Sequence, residues 1–497
     1  MHAEPIHFEP SDISLDRSQG IRIAIVGGGI SGIAAAYYLK RAKLHNFVVY
    51  ESSDGPGGTW HDNRYPGAEV DVVSHLYSFS FNRHDWTQRF GSRDELKQYL
   101  TCTIEAAGLR PRFHFNTTVV STTWSDTRKL YVVRFADGRT AEFEAVISCV
   151  GLLNVPAIPP HFDLAAFPGA ACHTACWRDD IDLADKRIGV IGTGSSAAQI
   201  VVEAAKVARS VTIFQRSPNW IVPKKNRPFT RRQRARYRTA WQYRFKALKE
   251  FFRVERLKFG NPERVGSKSN LRIRAIAERH LRQSLAVRPE LVEQLLPDYP
   301  IGAKRIVTSD GFYNAVCQPN VSIAPAVSKI DGGGLLDETG CRHDLDIVVL
   351  ATGFRAADYL VRLKVVGRSG ADLHATWNGE PAAFLGTCVP GFPNFFMLYG
   401  PNSNCGTLIF ILECQANFAA ECLSALTRRR KSTIEVKQSA YDRFNRWLQK
   451  RLERSVYKTT RNYYAAPSGR IVTQWPFSAT RFWWLAKICR GSAMTMD

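Results

Sequence analysis

Short apolar runs and helical periodicity alternate in the same order at two places in the chain. An apolar run over 21–26 is followed by a glycine-rich turn, a predicted helix over 31–41 and a second apolar run over 47–50. The order recurs with an apolar run over 187–191, a glycine turn, a helix over 195–206 and a run over 210–214. A strand, a helix and a second strand in this order form a βαβ unit. The pattern therefore predicts an α/β fold with parallel sheets.

Each predicted unit has a glycine-rich turn between its first strand and its helix. The first turn reads Gly-Gly-Gly-Ile-Ser-Gly over 27–32, and the second reads Gly-Thr-Gly-Ser-Ser-Ala over 192–197. Backbone N–H groups at the start of such a helix bind pyrophosphate. Two such turns, 165 residues apart, indicate two nucleotide cofactors that react with each other, such as a flavin and its reductant. We therefore expect two doubly wound dinucleotide-binding (Rossmann-like) domains with a helical insertion.

The residues after the second strand of each unit distinguish the two nucleotides. Glu51 follows the first unit, about 20 residues beyond its glycines, where the ribose hydroxyl of a bound nucleotide needs a hydrogen-bond acceptor. Gln215 and Arg216 stand at the corresponding place in the second unit. A cation there suits a 2′-phosphate, so we expect NADPH rather than NADH. An arginine at the end of a strand is otherwise often a surface charge.

The remaining patterns indicate where the domains begin and end. A β-rich stretch covers 118–149, and the chain then has a helical stretch over 223–299, strand patterns at 321–323 and 347–350, and late helices over 410–428 and 440–452. We expect five segments: the FAD-binding domain in 1–152 and 354–497, the NADPH-binding domain in 153–222 and 301–353, and a basic helical insert in 223–300.

Positive charge is concentrated in the predicted insert. The chain has a formal net charge of +22, and the segment 223–290 alone has 21 Lys and Arg against 5 Glu and no Asp. Aromatic residues alternate with cations at helical spacing over 236–252. One interpretation is a solvated helical face with its aromatic residues packed inward. A second is contact with an anionic membrane surface near apolar substrates. Nucleic acid is a third interpretation and is not expected as a partner.

The rest of the composition is that of a globular protein. The polar N-terminus, 1–20, lacks the basic start and apolar run of a signal peptide, and no run of about 18 apolar residues predicts a membrane span. The 11 cysteines are scattered without a Cys-x-x-Cys pair, which disfavours a dithiol reductase and a zinc ribbon. We expect reduced thiols, a cytoplasmic location and no bound metal.

Two further motifs relate the chain to a known family. The pattern Phe-x-Gly-x-x-x-His-x-x-x-Trp is matched by Phe167, Gly169, His173 and Trp177. Arg178 departs from the Pro or Asp that commonly follows. The stretch 57–71 contains Gly-Gly-Thr-Trp, then Tyr-Pro-Gly and a final Asp. With the two glycine turns, these motifs resemble those of type I Baeyer–Villiger monooxygenases, which are class B flavoprotein monooxygenases. The resemblance extends from about residue 21 to 475.

The resemblance implies an oxygenation reaction. In this family NADPH reduces FAD, the reduced flavin takes up O2 as a C4a-peroxyflavin, and the peroxide attacks a ketone carbonyl to give an ester or lactone. The segment 167–177 joins the two nucleotide domains in the family, which implies a hinge and not an acid–base group. Related enzymes that oxidise sulfur or nitrogen remain an alternative, although they usually carry Phe or Tyr in place of Trp177. A degenerate flavoprotein that acts as an interaction module is the other alternative.

The resemblance also implies roles for individual residues. Arg305 is the candidate catalytic residue, because a fixed cation stabilises negative charge on reacting oxygen atoms, and Asp71 is the catalytic partner that orients it. The FAD side is assigned to Gly27, Gly29, Gly32, Glu51, Thr59, Trp60, Asp71, Tyr77 and Val119. The NADPH side is assigned to Glu69, Val70, Thr193, Gly194, Ser195, Ser196, Gln199, Arg216, Ser217 and Lys304. For Tyr77, a place in the hydrophobic core is an equal alternative.

One departure from the family concerns the substrate side. Relatives often have His-Asn-Ser after a Gly-Pro-Asn motif, whereas here Gly-Pro-Asn-Ser over 400–403 is followed by Asn404 and Cys405. We expect this segment to lie near the flavin and the pocket to differ there. The implied partners are a small-molecule ketone and O2, and the protein is expected to be a monomer or a weak homodimer.

Overall fold

The computed structural model describes residues 15–160, 162 and 164–497, so the polar N-terminus lies outside the described residues as far as residue 14. The helices are α1 Ile30–Arg41, α2 Thr59–Asp62, α3 Arg93–Ala106, α4 Ser195–Val207, α5 Arg231–Tyr237, α6 Ala240–Phe259, α7 Lys268–Ser284, α8 Leu291–Leu295, α9 Phe312–Val316, α10 Leu373–Trp377, α11 Leu408–Arg428, α12 Gln438–Leu452, α13 Ala479–Ile488 and α14 Arg490–Ala493.

The strands are short, and most of them belong to two parallel sheets. They are β1 Ile23–Val26, β2 Phe47–Tyr50, β3 Phe113–His114, β4 Val119–Ser125, β5 Leu130–Phe135, β6 Thr140–Phe143, β7 Ala145–Ser148, β8 Ala170–His173, β9 Arg187–Ile191, β10 Ser210–Phe214, β11 Ile221–Val222, β12 Val307–Thr308, β13 Val321–Ala324, β14 Val327–Asp331, β15 Gly334–Asp337, β16 Arg342–Asp344, β17 Ile347–Leu350, β18 Lys364–Val366, β19 Phe395–Met397, β20 Ile434–Val436 and β21 Met494–Met496.

The first sheet has the order β19-β7-β1-β2-β3, and its strands are all parallel. Strand β1 lies between β2 and β7, with Ile23 opposite both Phe47 and Ala145. The four residues of β1 are buried, as expected for a parallel strand that is covered on both faces. Beyond the carboxyl end of β1 the chain leads to β2 on one side, whereas β7 lies on the other side. Parallel sheets of this type bind their ligands at such a switch in strand order.

The second sheet repeats this arrangement with the order β13-β10-β9-β17-β8. Strand β9 lies between β10 and β17, with Ile188 opposite Val211 and Ile347. Both predicted βαβ units are present, and the predicted helices differ from α1 and α4 by one residue at one end. The two sheets confirm the α/β class with two doubly wound, Rossmann-like domains.

Helix α11 lies in the hydrophobic core beside the first sheet. It packs on α1, whose buried residues include Ala34, Ala35 and Ala36, and these small side chains let the two helices approach closely. Its length and apolarity would allow it to cross a bilayer, but 67% of its most apolar stretch is buried inside the protein. A carboxyl group lies in this interface: Glu413 is buried, and its Oε1 accepts a hydrogen bond from Ser80 Oγ at 2.8 Å.

Helices α5–α8 are inserted between β11 and β12, which pair with each other in parallel. The stretch predicted to be helical and basic is therefore helical. The preferred interpretation of its aromatic residues is wrong in part: Tyr243 is buried, but Trp241, Phe245 and Phe252 are exposed on the outer face of α6. Other apolar residues of α6, including Tyr243, occupy the inward positions of this helix, so the exposed aromatic residues cannot pack in the core.

Candidate active site

The carboxyl ends of the two sheets open onto one cavity of about 1880 Å³. Both glycine turns line it, as does the segment that carries Arg305. Ordinary ligand pockets hold about 300–1,000 Å³, so this cavity has room for more than one large ligand. Eighteen of the candidate residues form its walls: Gly27, Gly29, Glu51, Thr59, Trp60, Glu69, Asp71, Tyr77, Val119, Thr193, Gly194, Ser195, Ser196, Gln199, Arg216, Ser217, Lys304 and Arg305.

Two of the predicted cofactor residues lie behind the cavity wall. Gly32 is buried in α1 and faces the backbone of the first turn, where a Cβ atom would clash with the Gly27 carbonyl oxygen. Val70 is buried in the hydrophobic core beside the first sheet. Gly32 thus permits close packing of helix and strand, and Val70 supports its cavity-facing neighbours Glu69 and Asp71.

The two glycine turns have the same geometry. Gly27 and Gly192 have φ of 108° and 120°, and at each a Cβ atom would stand 2.5 Å from a carbonyl oxygen at the end of a neighbouring strand, that of Cys149 or Ala351. Only glycine combines this backbone conformation with such a close approach. Gly29 and Gly194 follow as the N-caps of α1 and α4, and neither has a side chain that would cover the N–H groups of its helix. These N–H groups are free to bind phosphate.

Glu51 is held in place at the end of β2. Its Oε2 accepts a hydrogen bond from the Gly28 N–H at 2.6 Å, and its Oε1 accepts one from the Ser53 N–H at 2.9 Å. The side chain is buried yet borders the cavity. Its fixed carboxylate therefore stands beside the first glycine turn, as an acceptor for a ribose hydroxyl must.

Trp60 and Tyr77 form one side of the cavity near the first turn. Trp60 Nε1 donates to the Tyr77 hydroxyl at 3.2 Å, and the two rings meet edge to face with centroids 5.8 Å apart. Burial raises the pKa of Tyr77 to about 12, so it stays neutral at working pH. Tyr77 packs against the core and also lines the cavity, so its assignment to the FAD side stays a prediction.

Arg305 and Asp71 form an ion pair in the cavity wall. The Asp71 carboxylate raises the pKa of Arg305 well above its usual value, against the opposing effect of burial. Burial alone would raise the pKa of Asp71, but the Arg305 guanidinium outweighs it and lowers this pKa. The Arg305 side chain keeps 41% of its surface exposed, and this residue borders the cavity. It is thus a permanent cation that is both fixed and accessible.

A second buried ion pair lies next to the first. Lys224 Nζ is 2.5 Å from Glu69 Oε1, and only 2% of the lysine side chain is exposed. Burial lowers the pKa of Lys224, while Glu69 opposes this shift. The lysine also helps to lower the pKa of Asp71. The sequence analysis assigned no role to Lys224, because a lysine in a basic insert gives no sign that it is buried.

The second glycine turn is tied to the segment that carries Asp71. The Tyr65 hydroxyl lies 2.7 Å from Gln199 Oε1 and 3.1 Å from Ser196 Oγ, both near the N-terminus of α4. Gln199 Nε2 donates to the Glu69 carbonyl oxygen at 2.9 Å. Tyr65 belongs to the Tyr-Pro-Gly motif, which the sequence analysis used for the resemblance without giving this residue a role.

Two cations lie together on the second half of the cavity. Lys304 Nζ donates to Ser217 Oγ at 2.7 Å and lies 4.4 Å from the centre of the Tyr299 ring. Burial lowers the pKa of Lys304, and the nearby Arg216 lowers it further. Among the described residues, neither Lys304 nor Arg216 has a carboxylate within 4.0 Å. The charge of Asp298 raises the pKa of Lys304 without an ion-pair contact. A pair of cations without a carboxylate in contact suits a dianionic phosphate.

The C-terminal part of the chain completes the cavity. The cavity wall includes Tyr399, Asn404, Cys405, Tyr457, Asn462, Tyr463 and Tyr464. Asn462 Nδ2 donates to the Ala303 carbonyl oxygen at 2.9 Å, which fixes the segment just before Arg305. Asn404 and Cys405, which follow Gly-Pro-Asn-Ser, line this cavity, and their expected position near the flavin stays a prediction.

The motif Phe-x-Gly-x-x-x-His-x-x-x-Trp lies away from the cavity. Within the described part of the chain, the cavity lining does not include Phe167, Gly169, His173 or Trp177. Strand β8 is the edge strand next to β17, and Trp177 is buried in the core of the second sheet. His173 Nδ1 accepts a hydrogen bond from the Ala175 N–H at 3.0 Å, and burial lowers the pKa of His173. Its ring meets Phe354 with centroids 5.8 Å apart, beside the connection where the chain returns from β17. The motif thus packs against an inter-sheet connection.

These residues fit FAD at the first turn and NADPH at the second. The Ser195 hydroxyl is buried at the N-terminus of α4 without a hydrogen-bond partner among the described residues, as expected of a group that awaits a phosphate oxygen. The Glu51 carboxylate fits a ribose, and the unpaired Lys304 and Arg216 fit a 2′-phosphate. The cavity that joins both turns is large enough for two dinucleotides in contact.

Comparison with known proteins agrees with this geometry. Residues 20–230 match the family described as flavin-binding monooxygenase-like. The chain is 34% identical to a Baeyer–Villiger monooxygenase of Pseudomonas aeruginosa, over 93% of this chain and 88% of the relative. It is 33% identical to a Baeyer–Villiger monooxygenase of Streptomyces coelicolor, over 93% and 90% of the two chains. Its fold matches the crystal structure of cyclohexanone monooxygenase from Rhodococcus sp. Phi1 bound to NADP+, with a TM-score of 0.86, 26% identity, and coverage of 96% of this chain and 99% of that one. The chain therefore belongs to the Baeyer–Villiger monooxygenases and is an FAD- and NADPH-dependent monooxygenase of that type.

Proposed function

We propose that the protein uses O2 to insert an oxygen atom next to the carbonyl group of a ketone, which gives an ester or a lactone, with Arg305 at the centre of the reaction. The observation that carries this proposal is the Arg305–Asp71 ion pair in the wall of the cavity onto which both glycine turns open. When bound, FAD accepts a hydride from NADPH and activates O2. The residues of the chain bind and orient the reactants, and they stabilise charge.

Arg305 stabilises negative charge on oxygen during carbonyl attack. Its guanidinium keeps its proton at every working pH, because Asp71 raises its pKa further. It is preorganised, so it spends no free energy on reorientation as charge develops. Its exposed part borders the cavity, where water is displaced when the ligands are bound.

Asp71 is a positioning residue for Arg305. Its carboxylate holds the guanidinium in one orientation and offsets its charge when no anionic ligand is near. The ion pair between Glu69 and Lys224 supports this arrangement, because it fixes the segment that carries Asp71. The Asp71 carboxylate is the more buried partner and would be an uncompensated charge without Arg305, so the pair acts as a unit.

The NADPH contacts lie on the second half of the cavity. The N–H groups at the start of α4 bind the pyrophosphate, with Thr193, Gly194, Ser195 and Ser196 around it. Lys304 and Arg216 bind the 2′-phosphate, with Ser217 beside them. The hydrogen bond from Gln199 to the Glu69 carbonyl oxygen holds α4 at a fixed distance from the segment that carries Asp71, and hydride transfer between stacked rings requires such fixed positions.

Cyclic ketones are the first substrates to test. The solved relative is named cyclohexanone monooxygenase. The cavity wall of this chain includes the apolar or aromatic side chains of Trp60, Tyr399, Leu408, Leu412 and Tyr463, which suit an apolar substrate.

The arrangement of the chain supports further proposals about its parts. We propose that FAD is bound by 1–152 and 354–497, and NADPH by 153–222 and 301–353, with 223–300 as the insert. The segment 167–177 acts as a hinge, because it packs on an inter-sheet connection and not on the cavity. A location in the reducing environment of the cytoplasm is supported by the described cysteines, which form no disulfide with one another.

A product assay tests the proposed reaction. Purified protein with FAD and NADPH is supplied with cyclic, aryl and terpenoid ketones, and products are identified by mass spectrometry. We expect an ester or lactone from at least one class, with NADPH consumed in proportion to product. If the whole panel gives only hydrogen peroxide, or if sulfides are oxidised and no ketone is, the proposal is wrong.

A further inference from the structure

Helix α6 presents a ridge of four large apolar side chains to solvent. Trp241, Phe245, Leu248 and Phe252 are 63%, 60%, 53% and 61% exposed. Their spacing of four, three and four residues places them on one face of the helix. Single exposed apolar side chains are ordinary on a protein surface, but a contiguous ridge of this kind marks an interaction site.

Cations of α6 flank this ridge, and no acidic residue of this helix does. Arg244, Lys249, Arg253 and Arg256 are exposed on α6. The helix has only two acidic residues, and both are turned inward. Arg253 and Lys246 pair with the first of them, Glu250, at 2.8 and 2.7 Å. The outer surface of α6 is thus apolar along its middle and positive along its edges.

The inner face of α6 is firmly attached to the protein. The Tyr243 hydroxyl accepts a hydrogen bond from Trp86 Nε1 at 3.2 Å, and the Phe251 ring meets that of Phe410 with centroids 4.9 Å apart. Glu255 accepts hydrogen bonds from the N–H groups of Ala479 and Thr480, at 2.9 and 3.0 Å. The helix therefore cannot rotate to bury its ridge, and the ridge is preformed for a partner.

We propose that the outer face of α6 docks on the surface of an anionic lipid bilayer. The ridge enters the boundary between headgroups and acyl chains, and the flanking cations contact the phosphate groups. An apolar face between basic edges is the arrangement that interfacial helices use on anionic membranes. The charge of the whole segment 223–290 adds long-range attraction of the same sign.

The same observations disfavour other occupants of this face. A two-fold contact with a second copy would set the four cations of one α6 against those of the other, which is repulsive. A nucleic acid would satisfy the cations but leave the apolar ridge in water. Lys258, near the end of α6, borders the active cavity, so docking brings the cavity wall close to apolar ketones dissolved in the bilayer.

Vesicle sedimentation of the FAD-loaded protein tests the proposal. We expect at least about tenfold stronger partition onto phosphatidylcholine vesicles that contain about 30% phosphatidylserine than onto pure phosphatidylcholine, with a decline as salt rises. The ridge variant W241S/F245S/F252S and the charge variant R244Q/K249Q/R256Q are each expected to lose about tenfold or more. The control V287S removes a side chain that is 77% exposed elsewhere in the insert and should bind as the parent does.

Each other outcome overturns the proposal. Equal partition of the parent protein onto neutral and anionic vesicles would do so, as would unchanged binding of the ridge variant. Light scattering that shows a dimer in the parent protein and a monomer in the ridge variant would assign the face to a second copy. All variants are first checked for FAD content and for ketone-dependent NADPH oxidation without vesicles, so that a folding defect is not taken for a docking defect.

Discussion

The Tyr65 hydroxyl lies 2.7 Å from Gln199 Oε1, and this contact joins the segment before Asp71 to the helix that follows the second glycine turn. Tyr65 lies between α2 and α3, and Gln199 lies in α4 of the second Rossmann-like unit. One hydrogen bond thus links the elements that we assign to the two cofactors.

The substitution Tyr65→Phe tests this link. It removes the hydroxyl and leaves the Gln199 amide with one partner fewer in a buried place, which costs about 1–3 kcal/mol. We expect KM for NADPH to rise about fivefold or more, with FAD content unchanged. Steady-state kinetics with varied NADPH measure this effect. Tyr37→Phe is the control, because Tyr37 stacks on Phe81 through its ring. Similar NADPH kinetics in both variants would contradict the role of Tyr65.

Replacement of Arg305 separates the two halves of the reaction. Arg305→Ala should still permit reduction of FAD by NADPH, because the hydride step does not use this cation. Formation of ester or lactone should fall by about a hundredfold to a thousandfold, with hydrogen peroxide in its place. Anaerobic stopped-flow reduction and product analysis measure the two halves independently. Lactone formation at the parental rate would remove Arg305 from the mechanism. Arg305→Lys should recover little activity, since it lacks the planar fork that Asp71 holds.

The two unpaired cations of the second half should determine which nicotinamide is used. Arg216→Ala and Lys304→Ala should each reduce the preference for NADPH over NADH by about tenfold or more, because each loses a charge-assisted hydrogen bond to phosphate. The ratio of kcat/KM for the two nicotinamides gives this preference. Arg209→Ala is a matched control, since Arg209 pairs with Asp185 on the surface. An unchanged preference in both variants would place the 2′-phosphate elsewhere.

Glu413 should make stability depend on pH. Burial raises the pKa of this carboxyl to about 7 in the folded protein, although hydrogen bonds from Ser80 oppose the shift. The native state therefore holds its proton more tightly than the unfolded chain does. Stability from this group is complete below about pH 4 and is lost as pH rises towards 7, by about 3 kcal/mol.

Glu413→Gln removes this titration and keeps an oxygen that can accept the hydrogen bond from Ser80. We expect urea unfolding at a series of pH values to show a flatter stability profile between about pH 4 and 7 than in the parent protein. Glu421→Gln is the control on the same helix, because Glu421 forms a partly exposed pair with Arg490. A profile parallel to that of the parent would mean that Glu413 is ionised in the folded state.

The sequence predicted the parts of the site that depend on local pattern. The two glycine turns, Glu51 and the α/β class follow from spacing within about 30 residues, because a βαβ unit is built from neighbours in the chain. The pairing of Asp71 with Arg305 came from the family resemblance, and no local pattern relates two residues 234 positions apart.

Other features depend on which surfaces the fold brings together. Asn462 and Tyr463 border the cavity beside Arg305, but nothing in their immediate sequence marks them. The error over α6 has a similar cause, since this helix has apolar residues on two faces. Periodicity shows that both apolar faces exist, but it does not show which face packs against the rest of the protein. In the structure that face carries Phe251 and Tyr243.

The first sheet acquires its edge strand β19 late in the chain, where Phe395 pairs with Val146 across about 250 residues of sequence. Helix α11, which covers the alanine face of α1, is made later still. During synthesis β7 and α1 must therefore emerge long before their partners exist, and contacts of such long range form slowly. The part of the protein that we assign to FAD can close only when most of the polypeptide has left the ribosome. Shortened chains that end before residue 395 should therefore be substrates for chaperones and proteases and not smaller flavoproteins.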